Sequence, residues 1–222
     1  MILDLLSPVD IQQEYTRLGL SSGWRFLYNP LGLLEKSPKV LFLGINPGGD
    51  SVPPEHGVYS TEAGSAYVVE SWAGAPPGQS GYQQAVRKIF AMLNYPIEEA
   101  VTGCLIPFRS RKESDLGAAL TPAKKFGVQL WSPVIRSIKP KLIVTTGRTP
   151  YKGVSTIMAH LCSSETTVSL QGNSPCSLSV RRGDDWLLIG LPYPSKRFDI
   201  FNNACLRKPV QDCLYEARTM LT

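Results

Sequence analysis

Histidine is almost missing. The 222-residue chain has two, His56 and His160, which leaves a histidine-built metal site or a Ser-His-Asp triad almost nothing to draw on. Cysteine is sparse as well. Cys104, Cys162, Cys176, Cys205 and Cys213 are odd in number, widely spaced and without a Cys-x-x-Cys pair. That pattern argues against a disulfide framework, a zinc site or four-thiolate ligation of an iron–sulfur cluster. Reduced thiols in a cytoplasmic protein are expected, and no metal or other cofactor is implied. No apolar run reaches the roughly 18 residues of a membrane-spanning helix. The opening MILDLLSPVDIQQ carries Asp4 and Asp10 without a basic start, so it does not read as a secretory signal.

Charge is scarce too, at 18% of residues, and what there is leans basic: 23 Lys and Arg against 18 Asp and Glu, net +5. That lean suits a polyanion or a phosphate-bearing partner without demanding one. Hydrophobic residues, 43% of the chain, suffice for a full core, and the length fits a single domain over residues 1–222, expected to be a monomer.

Apolar runs bounded by Gly and Pro stand at KVLFLG (39–44), AVTGCLI (100–106), PKLIVTTG (140–147) and WLLIGLP (186–192). Continuous runs of this kind suit strands buried on both faces. Helical spacing appears between them. YQQAVRKIFAMLN (82–94) puts Val86, Ile89, Phe90 and Leu93 on one face, and residues 121–138 start with Thr121 as an N-cap and Pro122 at N1. Residues 150–162 and 199–221 also read as helical, the latter interrupted at Pro209, and SLSVRRGDDWLLIG reads as a hairpin turning at Gly-Asp-Asp. Strands alternating with helices predict an α/β fold, a three-layer αβα sandwich around a short, mostly parallel sheet, with ligands beyond the carboxyl ends of the strands. Residues 47–80 resist assignment. They are rich in Gly, Pro and Ser but carry Tyr59, Tyr67 and Trp72, which favours a functional loop over disorder.

The first strand ends in Gly44-Ile45-Asn46-Pro47-Gly48-Gly49. Asn, Pro and Gly are ordinary turn residues, so a plain tight turn is one reading. A phosphate loop fails for want of a Lys-Ser/Thr pair, and a dinucleotide fingerprint fails because the glycines do not make G-x-G-x-x-G. LGINPGG also resembles motif one of the uracil-DNA glycosylase superfamily, in the Gly-x-Asn-Pro-Gly form of its mismatch-specific and single-strand-selective branches. IKPKLIVTTG (138–147) looks like that superfamily's third core strand, LPYPSKRF (191–198) like its second motif, and LTPAKK (120–125) like a segment of the single-strand-selective branch. The resemblance spans about residues 39 to 200, four weak motifs in the right order.

It implies a monofunctional DNA glycosylase that flips a pyrimidine out of DNA and hydrolyses its N-glycosidic bond. Asn46 would hold the attacking water, on a turn shaped by Gly44, Ile45, Pro47 and Gly48. Tyr59, thirteen positions on, would stack on the flipped base. Ser195, Lys196, Arg197 and Phe198 would contact phosphates and wedge the duplex, aided by Arg109 and Arg111. Two departures stand out. Tyr193 replaces the usual motif-two histidine, offering a neutral donor in place of a cation. Gly103 falls where many relatives carry an Asn that reads the base, which implies poor recognition of uracil and room for a bulkier pyrimidine, in repair or in defence against modified phage DNA. A non-catalytic DNA-binding relative, or an enzyme on another phosphate-bearing molecule, are the competing readings.

Overall fold

Strands form here because both of their faces find apolar cover. In β1 (Val40–Gly44), Leu41 and Leu43 join one buried cluster while Val40 and Phe42 join another. The same alternation holds in β3 (Leu142–Thr146), where Ile143 faces one way and Leu142 and Val144 the other. Together with β2 (Val101–Cys104), β4 (Thr166–Gln171), β5 (Ser177–Arg182) and β6 (Leu187–Leu191), they make one sheet ordered β2-β1-β3-β6-β5-β4. β2, β1, β3 and β6 run parallel, while β5 and β4 add antiparallel pairs. This computed structural model describes residues 7–53, 56–159, 166–171, 177–194, 200–203 and 206–221, with backbone alone for 166–171 and Ser177.

Helices cover both faces. The described ones are α1 (Pro8–Arg17), α2 (Ala66–Val69), α3 (Gly81–Leu93), α4 (Leu120–Ile138), α5 (Arg148–Ala159) and α6 (Arg207–Thr219). α3 packs with α6 on one face of the sheet and α4 with α5 on the other. The fold is therefore a three-layer αβα sandwich with a mostly parallel sheet.

Local chemistry sets the ends of these elements. α3 opens with a capping box between Ser80 and Gln83 and closes on Asn94 in the left-handed region. α4 departs from its sequence reading. A 3₁₀ turn over Glu113–Ala119 runs directly into it, so Ala119 holds the cap position, and Thr121 and Pro122 lie inside the first turn. Pro209 likewise sits in the first turn of α6 and interrupts nothing, because a first-turn N–H has no helical partner to lose. The Gly183–Trp186 turn joins β5 to β6 as expected of a hairpin, with Gly183 N donating to Trp186 O at 3.0 Å.

One edge of the sheet is covered. Residues 24–28 run antiparallel beside β2, bridging Leu27 to Gly103 and Trp24 to Phe108. Within the unassigned stretch 47–80, Tyr67 is fully buried and Trp72 packs edge-on against it at 5.2 Å. Among the described residues no helix is long and apolar enough to cross a membrane.

Candidate active site at the strand ends

The backbone after β1 is laced to the segment after β2. Leu105 and Ile106 donate their N–H groups to Gly44 and Ile45 at 2.9 Å each, and Ser110 N donates to Pro47 O at 3.1 Å. Asn46 stands in the middle of this lacing. Its side-chain nitrogen donates to Pro47 O at 2.9 Å, Ser110 O at 3.0 Å and Ser110 Oγ at 2.9 Å. Two of these partners are carbonyl oxygens, which only the NH₂ end of the amide can face, so the amide has one orientation. Its Oδ1 accepts no hydrogen bond from a described residue. It is left as an acceptor at the lip of a cleft.

That cleft, about 1100 Å³, opens at the carboxyl ends of β1, β2 and β6. One wall is aromatic. Trp72 stacks on Tyr82 with centroids 6.5 Å apart, and Tyr82 on Tyr193 at 5.2 Å and 19°. Tyr82 is held through its hydroxyl, 2.8 Å from Thr146 Oγ1. A Cβ at Gly44 would lie 3.0 Å from that hydroxyl and 3.3 Å from Cys104 Sγ, so glycine is what lets the ring come so close to the strand. Tyr193 keeps 45% of its surface in solvent. Partial burial, with Cys104 nearby, still pushes its phenol above the usual value, so it is a neutral donor at pH 7.

Next to Trp72 the cleft carries buried charge. Arg25 donates to Glu70 through both terminal nitrogens, one contact at 2.8 Å, and also to Thr61. Burial would raise the Glu70 carboxyl, but the Arg25 hydrogen bonds and charge outweigh it, helped by Trp72 and His56, and hold it below its ordinary value. Trp72 Nε1 donates to Glu70 at 2.8 Å, and His56 Nδ1 lies 3.6 Å from the same oxygen. Arg25 also caps the Tyr28 ring at 4.4 Å. At the floor, burial pushes the Cys104 thiol up to about 12, so it is no nucleophile.

No protein-family model matches this chain, and no curated protein matches it in sequence. Chemistry in the cleft has to be read from the side chains themselves.

Asn46, Ile45, Gly48 and Tyr193 line the cleft, with Arg109 and Arg111. Gly44 supports the floor and Pro47 is buried behind the turn. Two expected residues lie elsewhere. Gly103 does not face the cleft. It is paired to Leu43 within β2, and an added Cβ would sit 2.7 Å from Phe26 O and 2.8 Å from the Trp131 ring. Strand alternation turns the next residue, Cys104, to the cleft instead. Tyr59 is likewise turned away, packed 5.6 Å from Phe26 beside the α4 layer. The aromatic rings that line the cleft are those of Tyr28, Trp72, Tyr82, Tyr193 and Phe201. Arg109 is also not the surface cation expected of a phosphate contact, being 8% exposed, whereas Arg111 is exposed and paired with Asp50 at 2.5 Å. Ser195, Lys196, Arg197 and Phe198 lie outside the described residues.

Sequence reading missed Arg25, His56, Glu70 and Tyr82. For Arg25 a signal existed: one cation inside the aromatic run Trp24-Arg25-Phe26-Leu27-Tyr28. A shallower depression of about 730 Å³ beside α1 holds Arg17 as its one charged side chain and lies apart from the strand ends.

Proposed function

We propose that this protein is a monofunctional DNA glycosylase of the kind its Asn-Pro-Gly turn resembles. It takes a flipped pyrimidine into the cleft and hydrolyses the bond to its deoxyribose, leaving an abasic site. The observation that carries the reading is the Asn46 amide, fixed by three hydrogen bonds with its oxygen left over beside an aromatic wall. Such an oxygen can hold a water over a sugar carbon but is too weak a base to activate one outright. That suits a reaction whose transition state is already cationic at the sugar.

In the proposed reaction the C1′–N1 bond breaks with its electron pair moving to the base. Water oxygen bonds to C1′, and the water's proton ends on the departed base or in solvent. Tyr193, stacked on Tyr82 and 45% exposed, offers its outer ring face for the base and a neutral hydroxyl. The substrate we favour is a modified or enlarged pyrimidine, encountered in repair or in defence against modified phage DNA in the cytoplasm. Support for this comes from the volume of the cleft, about 1100 Å³, since Gly103 faces away from it. Lys196, Arg197 and Phe198 keep their proposed part at the DNA duplex on sequence alone, and Arg111 stands at the rim for a phosphate.

The test is excision from oligonucleotides carrying uracil, 5-hydroxymethylated and glucosylated pyrimidines, with abasic sites revealed by heating in alkali. Asn46→Ala should lower the single-turnover rate about 10²-fold or more while DNA affinity stays within a few fold, because the amide acts on the transition state. Excision at the unmodified rate would reduce the turn to a structural one. DNA binding without excision of any base would favour a non-catalytic DNA-binding protein.

A further inference from the structure

Two guanidiniums are buried at this cleft, and they differ in one respect. Arg25 has a carboxylate fork in Glu70. Arg109 has no carboxylate partner among the described residues. Its Nη1 donates to Gly48 O, its Nε is buried without an acceptor, and no hydrogen bond joins its Nη2 to a described residue. It is 8% exposed and lies beneath the Asn46 turn, its Nη1 3.6 Å from where a Cβ on Gly49 would stand. Burial opposes its charge and Arg25 adds repulsion, so its pKa falls below the ordinary arginine value.

A buried cation without a counter-charge is costly unless something supplies one. The local groups do not: Tyr28 and Cys104 both stay protonated at neutral pH, because burial raises each of them. Glu70, whose charge Arg109 feels, is committed to Arg25 and Trp72, and the cleft carboxylates Asp50 and Glu113 are paired with Arg111 and Lys124. Charge complementarity is therefore met when a ligand brings negative charge to the floor of the cleft.

We propose that Arg109 receives the charge of the departing base. This rests on the glycosylase reading for the identity of the anion, a pyrimidine whose N1 holds the electron pair from the broken C1′–N1 bond, spread over its ring oxygens. Arg109 lines the same cleft as the aromatic rings of Trp72, Tyr82 and Tyr193 and the amide of Asn46, and it is bonded to the Asn46 turn through Gly48 O. The motif-two position, filled by the neutral phenol of Tyr193, offers no cation for this task, and Arg109 supplies one from the end of β2. A guanidinium fixed before the reaction stabilises charge as it develops, without reorganisation.

The test uses two planar rings of similar size: barbiturate, an anion at neutral pH, and uracil, which is neutral. Calorimetric titration of the intact protein should show barbiturate binding at least tenfold more tightly. Arg109→Gln should erase the preference, and Arg109→Lys should keep part of it. In excision, Arg109→Gln should lose about 10²-fold or more on uracil-like leaving groups and less on 5-fluorinated ones, whose anions need less help. If the unaltered protein binds the two rings equally, or neither, Arg109 does not face a base site and the proposal falls, whether or not Arg109→Gln folds. An equal loss for all leaving groups, or a loss of DNA affinity with a flatter salt dependence, would instead make Arg109 a phosphate contact. A preference for barbiturate without excision of any DNA base would keep the anion site and remove the glycosylase reading.

Discussion

The two faces of the sheet meet the same strand ends with opposite chemistry. On the α4 face the ends of β1 and β2 are plugged by Phe26, Phe108, Leu105 and Trp131, all buried. Gly103 and Gly127 let that packing close: an added Cβ at Gly127 would fall 2.1 Å from Leu105 O. On the α3 face the same ends meet Arg25, Glu70, His56, Arg109 and Cys104, buried but polar. One side has spent its sequence on density and the other on charge held away from water. Protein interiors accept buried polar groups when they are paired or when function requires them. Among the buried side-chain atoms without a hydrogen-bond partner, those of Arg25, His56 and Arg109 line the cleft on this side.

The contrast can be broken first on the charged side. Glu70→Gln leaves Arg25 buried beside a neutral amide and should destabilise the fold by about 3–5 kcal/mol at pH 7. The Glu70 carboxyl is held below its ordinary value near 4.5, so the stability it contributes is present above that pH. It is lost as pH falls through the folded-state value. Urea denaturation from pH 7 to pH 3 should show the gap between parent and variant narrowing below about 4.5. A gap that stayed constant would mean the carboxylate is not the source.

The packed side should respond to volume instead. Gly103→Asn places its Cβ against Phe26 O and Trp131 and should lower stability by about 1–3 kcal/mol with no dependence on pH. From sequence alone this change would be expected to restore uracil recognition. From the structure it should leave base preference where it was, which parallel excision assays of the two proteins would reveal. The smallest effect belongs to the rim. Arg111→Ala breaks an exposed pair with Asp50 and should leave stability nearly unchanged. If Arg111 meets a phosphate, the slope of log affinity against log salt should drop by about 1. An unchanged slope would remove Arg111 from the DNA interface.

Legibility followed the range of the interactions. The strands were readable because burial on both faces writes an unbroken apolar run, as in Val40–Gly44 and Leu142–Thr146. β4 was not, since TTVSLQ sits at the end of the sheet order and shows no such run. The start of α4 was misplaced because Thr121-Pro122 imitates a cap, while a 3₁₀ turn had already begun the winding. In the site, Asn46 was legible from its own turn. Arg25 and Glu70, 45 positions apart, and Tyr82 and Thr146, 64 apart, meet only once the chain has folded. Gly103 failed for a finer reason. Being off by one residue in a strand reverses the face, and the neighbouring Cys104 is the one that reaches the cleft.

The three hydrogen bonds that hold the Asn46 amide also carry a consequence for disorder and order. A freely turning asparagine would lose rotamer freedom when it engaged a water and a sugar, about 0.5–1.5 kcal/mol for an immobilised side chain. Here that freedom has already gone, surrendered when the chain folded and Ser110 closed over the turn. A ligand arriving at the cleft meets an amide with no conformational entropy left to give up.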